Sequence, residues 1–130
     1  MLSQLMEGWI DEHGHPVMPV QLIGLEDPIV ALIDTGFNRE LIVYEEHSQQ
    51  AQLVIESESV SVLLADGSQE EFLRTEGVIE WFGEPRRVDI LVIPGQAPRK
   101  GRWQIGTQLL RDCRLEIDFR ERSVKLSRHV

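Results

Sequence analysis

Apolar residues in this chain fall into short runs or alternate with polar residues, which is the pattern of β-strands. Strand-like patterns cover 16–23, 29–33, 41–44, 60–64, 71–82, 87–93, 113–119 and 124–126. Two short segments, 45–50 and 107–111, have the composition of helical turns instead. The pattern therefore predicts an all-β architecture with about seven to nine strands.

Glycine marks two changes of chain direction. Asp66-Gly67 separates the strand patterns at 60–64 and 71–82, and Asp-Gly between two strands is a strong hairpin signal. The apolar run 29–33 ends at Asp34-Thr35-Gly36, where the glycine permits a sharp turn. We expect a hairpin at the first position and a loop leaving a buried strand at the second.

Length and charge restrict the class of protein. A chain of 130 residues fits a single domain spanning 1–130. Its 22 Asp and Glu against 13 Lys and Arg give a net charge of −9, which disfavours binding to nucleic acid or to an anionic membrane. The only cysteine is Cys113, so no intrachain disulfide can form. The start lacks a signal-peptide pattern, and the longest apolar run is too short to span a bilayer. We expect a cytoplasmic protein.

Three segments, in this order and at this spacing, resemble the retropepsin-like (clan AA) aspartic proteases, in the bacterial and archaeal branch whose motif reads Asp-Thr-Gly-Phe. These segments are Ala31-Leu32-Ile33-Asp34-Thr35-Gly36-Phe37, Leu64-Ala65-Asp66-Gly67-Ser68, and Ile105-Gly106 followed by Leu109-Leu110. The resemblance covers the chain from about Val17 to Phe119. It implies an acid protease barrel with a flap hairpin and one short C-terminal helix, one lobe per chain, without a metal or other cofactor.

The resemblance implies that Asp34 is the catalytic residue of an aspartic endopeptidase. Peptide hydrolysis without a metal or a covalent nucleophile needs one group to deprotonate water and another to protonate the carbonyl oxygen. Two close carboxylates that share one proton supply both groups. The chain has one such motif, so the second Asp34 must come from another copy across a twofold axis. A homodimer acting on a peptide or protein substrate is the expected assembly.

Further roles follow from the same resemblance. Thr35 and Gly36 would shape the active-site loop, and Gly106 would support it where a side chain would collide. The hairpin tip would act as a flap that closes over bound peptide. The residues expected to contact substrate are Phe37, Asn38, Ala65, Asp66, Gly67, Ser68 and Ile105.

The chain departs from the family pattern at three places. Phe37 has no hydroxyl to hydrogen-bond an ionised carboxylate, so we expect the pair of acids to retain its shared proton to higher pH, with activity from mildly acidic towards neutral. Asn38 and Thr107 stand where retroviral members carry an aspartate–arginine ion pair. Because both charges are absent together, no charged group is left without its partner. The chain also continues past Phe119, although chain termini build the dimer sheet in retroviral enzymes.

Other interpretations stay open. Asp34-Thr35-Gly36 alone could be a strand ending in a glycine turn, Gly67 a plain hairpin turn, and Gly106 a helix start. A catalytically silent retropepsin fold that binds a peptide or dimerises is the alternative function, and a processor of one dedicated partner is a third. The histidines of segment 11–15 are interpreted as a solvated hairpin tip, and the basic segment 99–102 as a solvated loop.

Overall fold

The computed structural model describes residues 3–63, 66–95 and 103–129. Ala65, expected to contact substrate, and the basic segment 99–102 lie outside the described residues. The strands are β1 (Ser3–Ile10), β2 (Pro16–Leu22), β3 (Ile29–Ile33), β4 (Leu41–Tyr44), β5 (Glu56–Leu63), β6 (Gln69–Trp81), β7 (Glu84–Ile93), β8 (Trp103–Ile105), β9 (Arg114–Asp118) and β10 (Ser123–His129). The helices are α1 (Glu45–Gln50) and α2 (Thr107–Leu110).

All described strands belong to one sheet, with the order β5-β6-β7-β4-β8-β3-β2-β1-β10-β9. β2 also pairs with β6, so the sheet folds back on itself. This architecture confirms the expected mostly-β fold class. The described residues form ten strands, more than the pattern predicted. The missed strands are β1, where Leu5-Met6 and Trp9-Ile10 break the alternation, and β8, which has only three residues.

The inner side of this folded sheet carries the main hydrophobic core. Met18, Leu22, Ile79, Ile90 and Leu126 are among its fully buried side chains. A smaller cluster of buried side chains, Phe37, Ile42, Phe72 and Leu91, lies apart from it. Because Phe37 belongs to this second cluster, the loop after β3 is tied to β4, β6 and β7 by packing as well as by the chain.

The order of β3, β8 and β4 determines where the Asp34 loop lies. β8 pairs in parallel with β3 and antiparallel with β4, so it lies between two strands that are consecutive in the chain. The connection 34–40 must therefore cross the end of β8. That crossing brings the Asp-Thr-Gly segment onto Ile105 and Gly106, which are some seventy positions away in the sequence.

The predicted hairpin is formed by β5 and β6. Leu63 pairs with Gln69 and Val60 with Phe72, and an irregularity in the register lies between Glu56 and Val60. At the turn, Gly67 has φ +86°, a conformation that favours glycine.

The first and last strands pair with each other inside one chain. β1 runs antiparallel to β10 from Ser3 opposite His129 to Trp9 opposite Ser123, and β9 covers the other side of β10. The segment beyond Phe119 therefore forms β10, which pairs with the N-terminal strand β1.

Candidate active site

Asp34 begins a tight turn at the end of β3. Its backbone N–H donates to the Ile105 carbonyl oxygen at 3.0 Å, and its own carbonyl oxygen accepts from Phe37 N–H at 3.1 Å. The side-chain Oδ1 accepts a hydrogen bond from Gly36 N–H at 2.9 Å. Asp34 is partly buried, whereas Thr35 and Gly36 are exposed. The turn therefore fixes the carboxylate and presents the two following residues at the surface, where a second chain could meet them.

Gly106 packs directly under this loop. A Cβ at Gly106 would lie 2.1 Å from the Arg39 carbonyl oxygen and 2.6 Å from the Phe37 carbonyl oxygen. The two segments are also joined by backbone hydrogen bonds, from Gly106 N–H to the Glu40 oxygen at 3.0 Å and from Thr107 N–H to the Phe37 oxygen at 2.8 Å. This close packing requires glycine, because a Cβ would also meet Phe37 Cδ2 at 2.5 Å and could be accommodated only by displacing the chain.

Asn38 and Thr107, which stand at the positions of the aspartate–arginine ion pair of retroviral members, form an uncharged contact. Thr107 Oγ1 donates to Asn38 Oδ1 at 3.0 Å. Both residues carry no charge, so the contact connects the loop to the start of α2 without any charge to desolvate.

A cleft of about 390 Å³ opens beside Asp34. One wall is the Asp34 loop, and the other is formed by β5 and β6 of the hairpin. The residues that line it are Asp34, Gly36, Phe37, Asn38, Arg39, Ile42, Ser61, Val62, Leu63, Phe72 and Gln104. Apolar side chains from both walls surround one carboxylate, which suits an extended, partly apolar chain.

The structure places four of the sequence-predicted site residues in this cleft: Asp34, Gly36, Phe37 and Asn38. Ile105, expected to contact substrate, is instead fully buried in the main core. Successive side chains of a strand point to opposite faces, so Gln104 lines the cleft while Ile105 points inward.

The described residues of the hairpin tip, 66–68, do not line the cleft. Asp66, Gly67 and Ser68 are exposed, and the Asp66 carboxylate accepts hydrogen bonds from the backbone N–H and the hydroxyl of Ser68. The Ser68 hydroxyl and N–H hold the pKa of Asp66 below its ordinary value. Among the described hairpin residues, Ser61, Val62 and Leu63 of β5 and Phe72 of β6 line the cleft.

Sequence reasoning also missed Arg39, which takes part in a charged cluster at one end of the cleft. Arg39 Nη2 donates to Asp89 Oδ2 and Arg74 Nε donates to Asp89 Oδ1, each at 2.7 Å. Glu40 accepts from Asp89 N–H at 2.9 Å and from Arg86 at 3.2 Å. The available signal was position, because Arg39 follows the Asp-Thr-Gly-Phe-Asn segment directly, but its partner on β7 depends on tertiary structure.

Other surfaces offer less chemistry. A larger groove of about 640 Å³ lies between β1, β2 and the turn after β6, but it contains no residue of the Asp34 loop. We assign the candidate site to the smaller cleft because it holds the carboxylate. Within 3–63, 66–95 and 103–129, no three His, Cys, Asp or Glu side chains come together as metal ligands. No helix among the described residues is long and apolar enough to cross a membrane.

Comparison by sequence finds no matching family model and no matching curated protein. Comparison by structure does find matches. A retropepsin-like aspartic protease from Rickettsia conorii aligns with 14% identity and a TM-score of 0.69, covering 98% of this chain and 92% of that one. EIAV protease in complex with the inhibitor HBY-793 aligns with 19% identity and a TM-score of 0.55, covering 78% and 90%. The chain therefore has the fold of the retropepsin-like, clan AA aspartic proteases.

Proposed function

We propose that this protein is an aspartic endopeptidase that acts as a homodimer, with one Asp34 from each chain. The observation that carries the proposal is the Asp34 carboxylate, held by Gly36 N–H at the floor of an apolar-walled cleft in a retropepsin-like fold. The exposed Thr35 and Gly36 leave the loop accessible to a second copy.

In the proposed mechanism, the two Asp34 carboxyl groups share one proton. The ionised group takes a proton from a water molecule, and the resulting hydroxide attacks the carbonyl carbon of the peptide bond. The protonated group donates its proton to the carbonyl oxygen, giving a neutral tetrahedral intermediate. Collapse of the intermediate breaks the C–N bond, and the leaving nitrogen takes the proton first removed from water. One hydroxyl of the intermediate returns its proton to the other carboxylate, which leaves the acid product and restores the shared proton.

The substrate is proposed to lie extended between the Asp34 loop and β5. An extended peptide gains main-chain hydrogen bonds as an added strand would, while alternate side chains enter pockets. Phe37, Ile42 and Phe72 provide apolar wall area for such pockets. The tip at Asp66–Ser68 is proposed to act as a flap that lies over bound peptide. We expect cleavage beside apolar residues.

The test uses purified protein and a peptide library from pH 4 to 7. The proposal expects cleavage that disappears in Asp34→Asn, which keeps the shape of the side chain but removes its charge. Wild type that cleaves nothing would favour the alternative of a catalytically silent fold that binds peptide or dimerises. Equal cleavage by both proteins would identify a contaminating protease.

A mixing experiment tests the shared site. If the site is built from two chains, adding an equal amount of Asp34→Asn should lower the activity of wild type to about one half, because half of its chains then have an inactive partner. Activity that is unaffected by the variant would refute a site formed between two chains. Sedimentation velocity at the assay concentration checks that dimers are present.

A further inference from the structure

Three arginines surround a shallow pocket that adjoins the Asp34 cleft. This pocket has a volume of about 310 Å³, and its charged lining residues are Arg39, Arg74, Arg111, Glu40 and Asp89. Arg39 also lines the Asp34 cleft itself. A peptide bound at Asp34 could therefore reach this pocket through Arg39.

Within the pocket lining, three arginines face two carboxylates, and Glu56 and Glu76 act on Arg74 from outside the lining. Both oxygens of Asp89 are used, one by Arg39 and one by Arg74, so one carboxylate serves two guanidinium groups. Glu40 is paired with Arg86, which lies outside the pocket lining. Burial alone would raise the pKa of Asp89, but the hydrogen bonds from its two arginines hold that pKa below its ordinary value. Asp89 is therefore occupied by its own two arginines, and Arg111, the third arginine of the lining, is not paired with it.

The arginines lie further out than the carboxylate they share. The Asp89 side chain is 21% exposed, against 32% for Arg39 and 41% for Arg74. Each of these two arginines uses one N–H group on Asp89, and the described residues provide no acceptor for their other side-chain N–H groups. Arg111 is exposed and forms no ion pair with any described residue. Several guanidinium donors are therefore available to an incoming anion.

We propose that this cluster, formed by Arg39, Arg74 and Arg111, binds a carboxylate of the substrate peptide and selects peptides that carry one near the cleaved bond. The carboxylate would come from a Glu or Asp side chain, or from the C-terminus of a short peptide. This inference rests on the proposed function, since it names a substrate class for the same cleft.

The net charge of −9 does not oppose this assignment. Charges separated by more than about 8 Å are largely screened at physiological ionic strength, whereas direct contact between a guanidinium and a carboxylate is screened much less. The overall charge therefore slows the approach of an acidic peptide, and the local contacts determine how firmly it binds.

The experiment measures peptide binding by the Asp34→Asn protein, so that no cleavage interferes. The probes are acetylated and amidated peptides with one Glu moved along the sequence, each paired with a twin that has Gln instead. An acid-free peptide with a free or an amidated C-terminus tests the second source of carboxylate. At the best position we expect the Glu peptide to bind about tenfold more tightly than its twin, since hydrogen bonds to charged groups are strong but partly exposed here.

Variants then assign the preference to the cluster. In Arg39→Gln the preference should fall to about twofold, and Arg111→Gln, which breaks no ion pair with a described residue, should lower it by a smaller factor. Arg114→Gln removes the same charge from β9, away from either cavity, and should leave the preference intact. Circular dichroism and thermal unfolding check that each variant is folded.

The outcomes separate this inference from the proposed function. Equal binding of Glu and Gln peptides at every position, with no effect of the free C-terminus, overturns the inference even if the wild type cleaves peptides. A preference for Glu over Gln peptides that is unchanged in both Arg39→Gln and Arg111→Gln also overturns the inference. A wild type that cleaves nothing, while Asp34→Asn binds acidic peptides through Arg39, removes the hydrolytic proposal and supports carboxylate recognition.

Discussion

Replacing Gly106 with alanine tests whether the Asp34 loop depends on the close approach of Gly106. Gly106 has φ −104° and ψ 176°, which alanine adopts without strain. The effect of the substitution is therefore steric. The added Cβ would lie 2.1 Å from the Arg39 carbonyl oxygen and 2.5 Å from Phe37 Cδ2.

The contact distances determine the size of the effect. Increasing the separation from the Arg39 oxygen from 2.1 Å to an ordinary 3.4 Å displaces the loop or β8 by about 1.3 Å. A shift of that size stretches two hydrogen bonds, from Thr107 N–H to the Phe37 oxygen and from Gln108 N–H to the Arg39 oxygen. Two hydrogen bonds at about 1 kcal/mol each, with some strain from overpacking, give a loss of about 2–4 kcal/mol. A domain of this size has about 5–15 kcal/mol of stability, so the variant should still fold.

Urea unfolding and peptide cleavage measure the two consequences. We expect the free energy of unfolding to fall by about 2–4 kcal/mol, and kcat/KM to fall about a hundredfold, because a displacement near 1 Å misplaces the carboxylate. The matched control is Gly77→Ala, whose Cβ would meet the Ile90 Cδ1 atom at 2.7 Å, the movable end of a side chain. That variant should lose about 1 kcal/mol and keep its activity. Wild-type stability and activity in Gly106→Ala would refute the proposed support.

Three further predictions concern the same neighbourhood. Thr107→Val removes the donor to Asn38 Oδ1 and should lower kcat/KM several-fold with a stability change below about 1 kcal/mol; unchanged kinetics would exclude a role for the pair. Burial lowers the pKa of His47, whose Nδ1 accepts from Trp103 Nε1 at 3.0 Å. Because the unfolded state then binds more protons than the folded state, the stability contributed by neutral His47 should decrease as pH falls below about 6.5. The variant His47→Gln should therefore show a weaker dependence of the melting temperature on pH. Activity should peak between mildly acidic and neutral pH because Phe37 offers no hydroxyl to the acids, and an optimum below about pH 3 would contradict this.

Much of the secondary structure could be predicted from the sequence because it depends on local pattern. The apolar run at 29–33 and the segment at 41–44 match β3 and β4 in both bounds, and the polar segment 45–50 matches α1. β8 could not be predicted in the same way. It has three residues, and its pairing with β3 and β4 depends on strands that are distant in the sequence.

The site was partly predictable for a similar reason. A motif locates Asp34, since one carboxylate after a buried strand is a local feature. The opposite wall of the cleft depends on hairpin register, which brings Val62 and Phe72 to it. The pleat of β8 decides that Gln104, and not Ile105, lines the cleft. Register and pleat follow from tertiary pairing, so a single sequence without structure does not reveal these residues.

The low identity to the solved proteases shows which constraints the fold imposes. With 14% identity over 98% of this chain, the same fold is formed although most residues differ. Gly106 is constrained, because a Cβ there would meet the carbonyl oxygens of Arg39 and Phe37 as well as the Phe37 ring. Asn38 and Thr107 depend on each other through the hydrogen bond between their side chains. Loss of one partner from an ion pair leaves an uncompensated charge, whereas replacement of both by neutral groups that hydrogen-bond each other strands none. Among proteins with this fold, we therefore expect the residues at positions 38 and 107 to vary together, with both charged or both neutral.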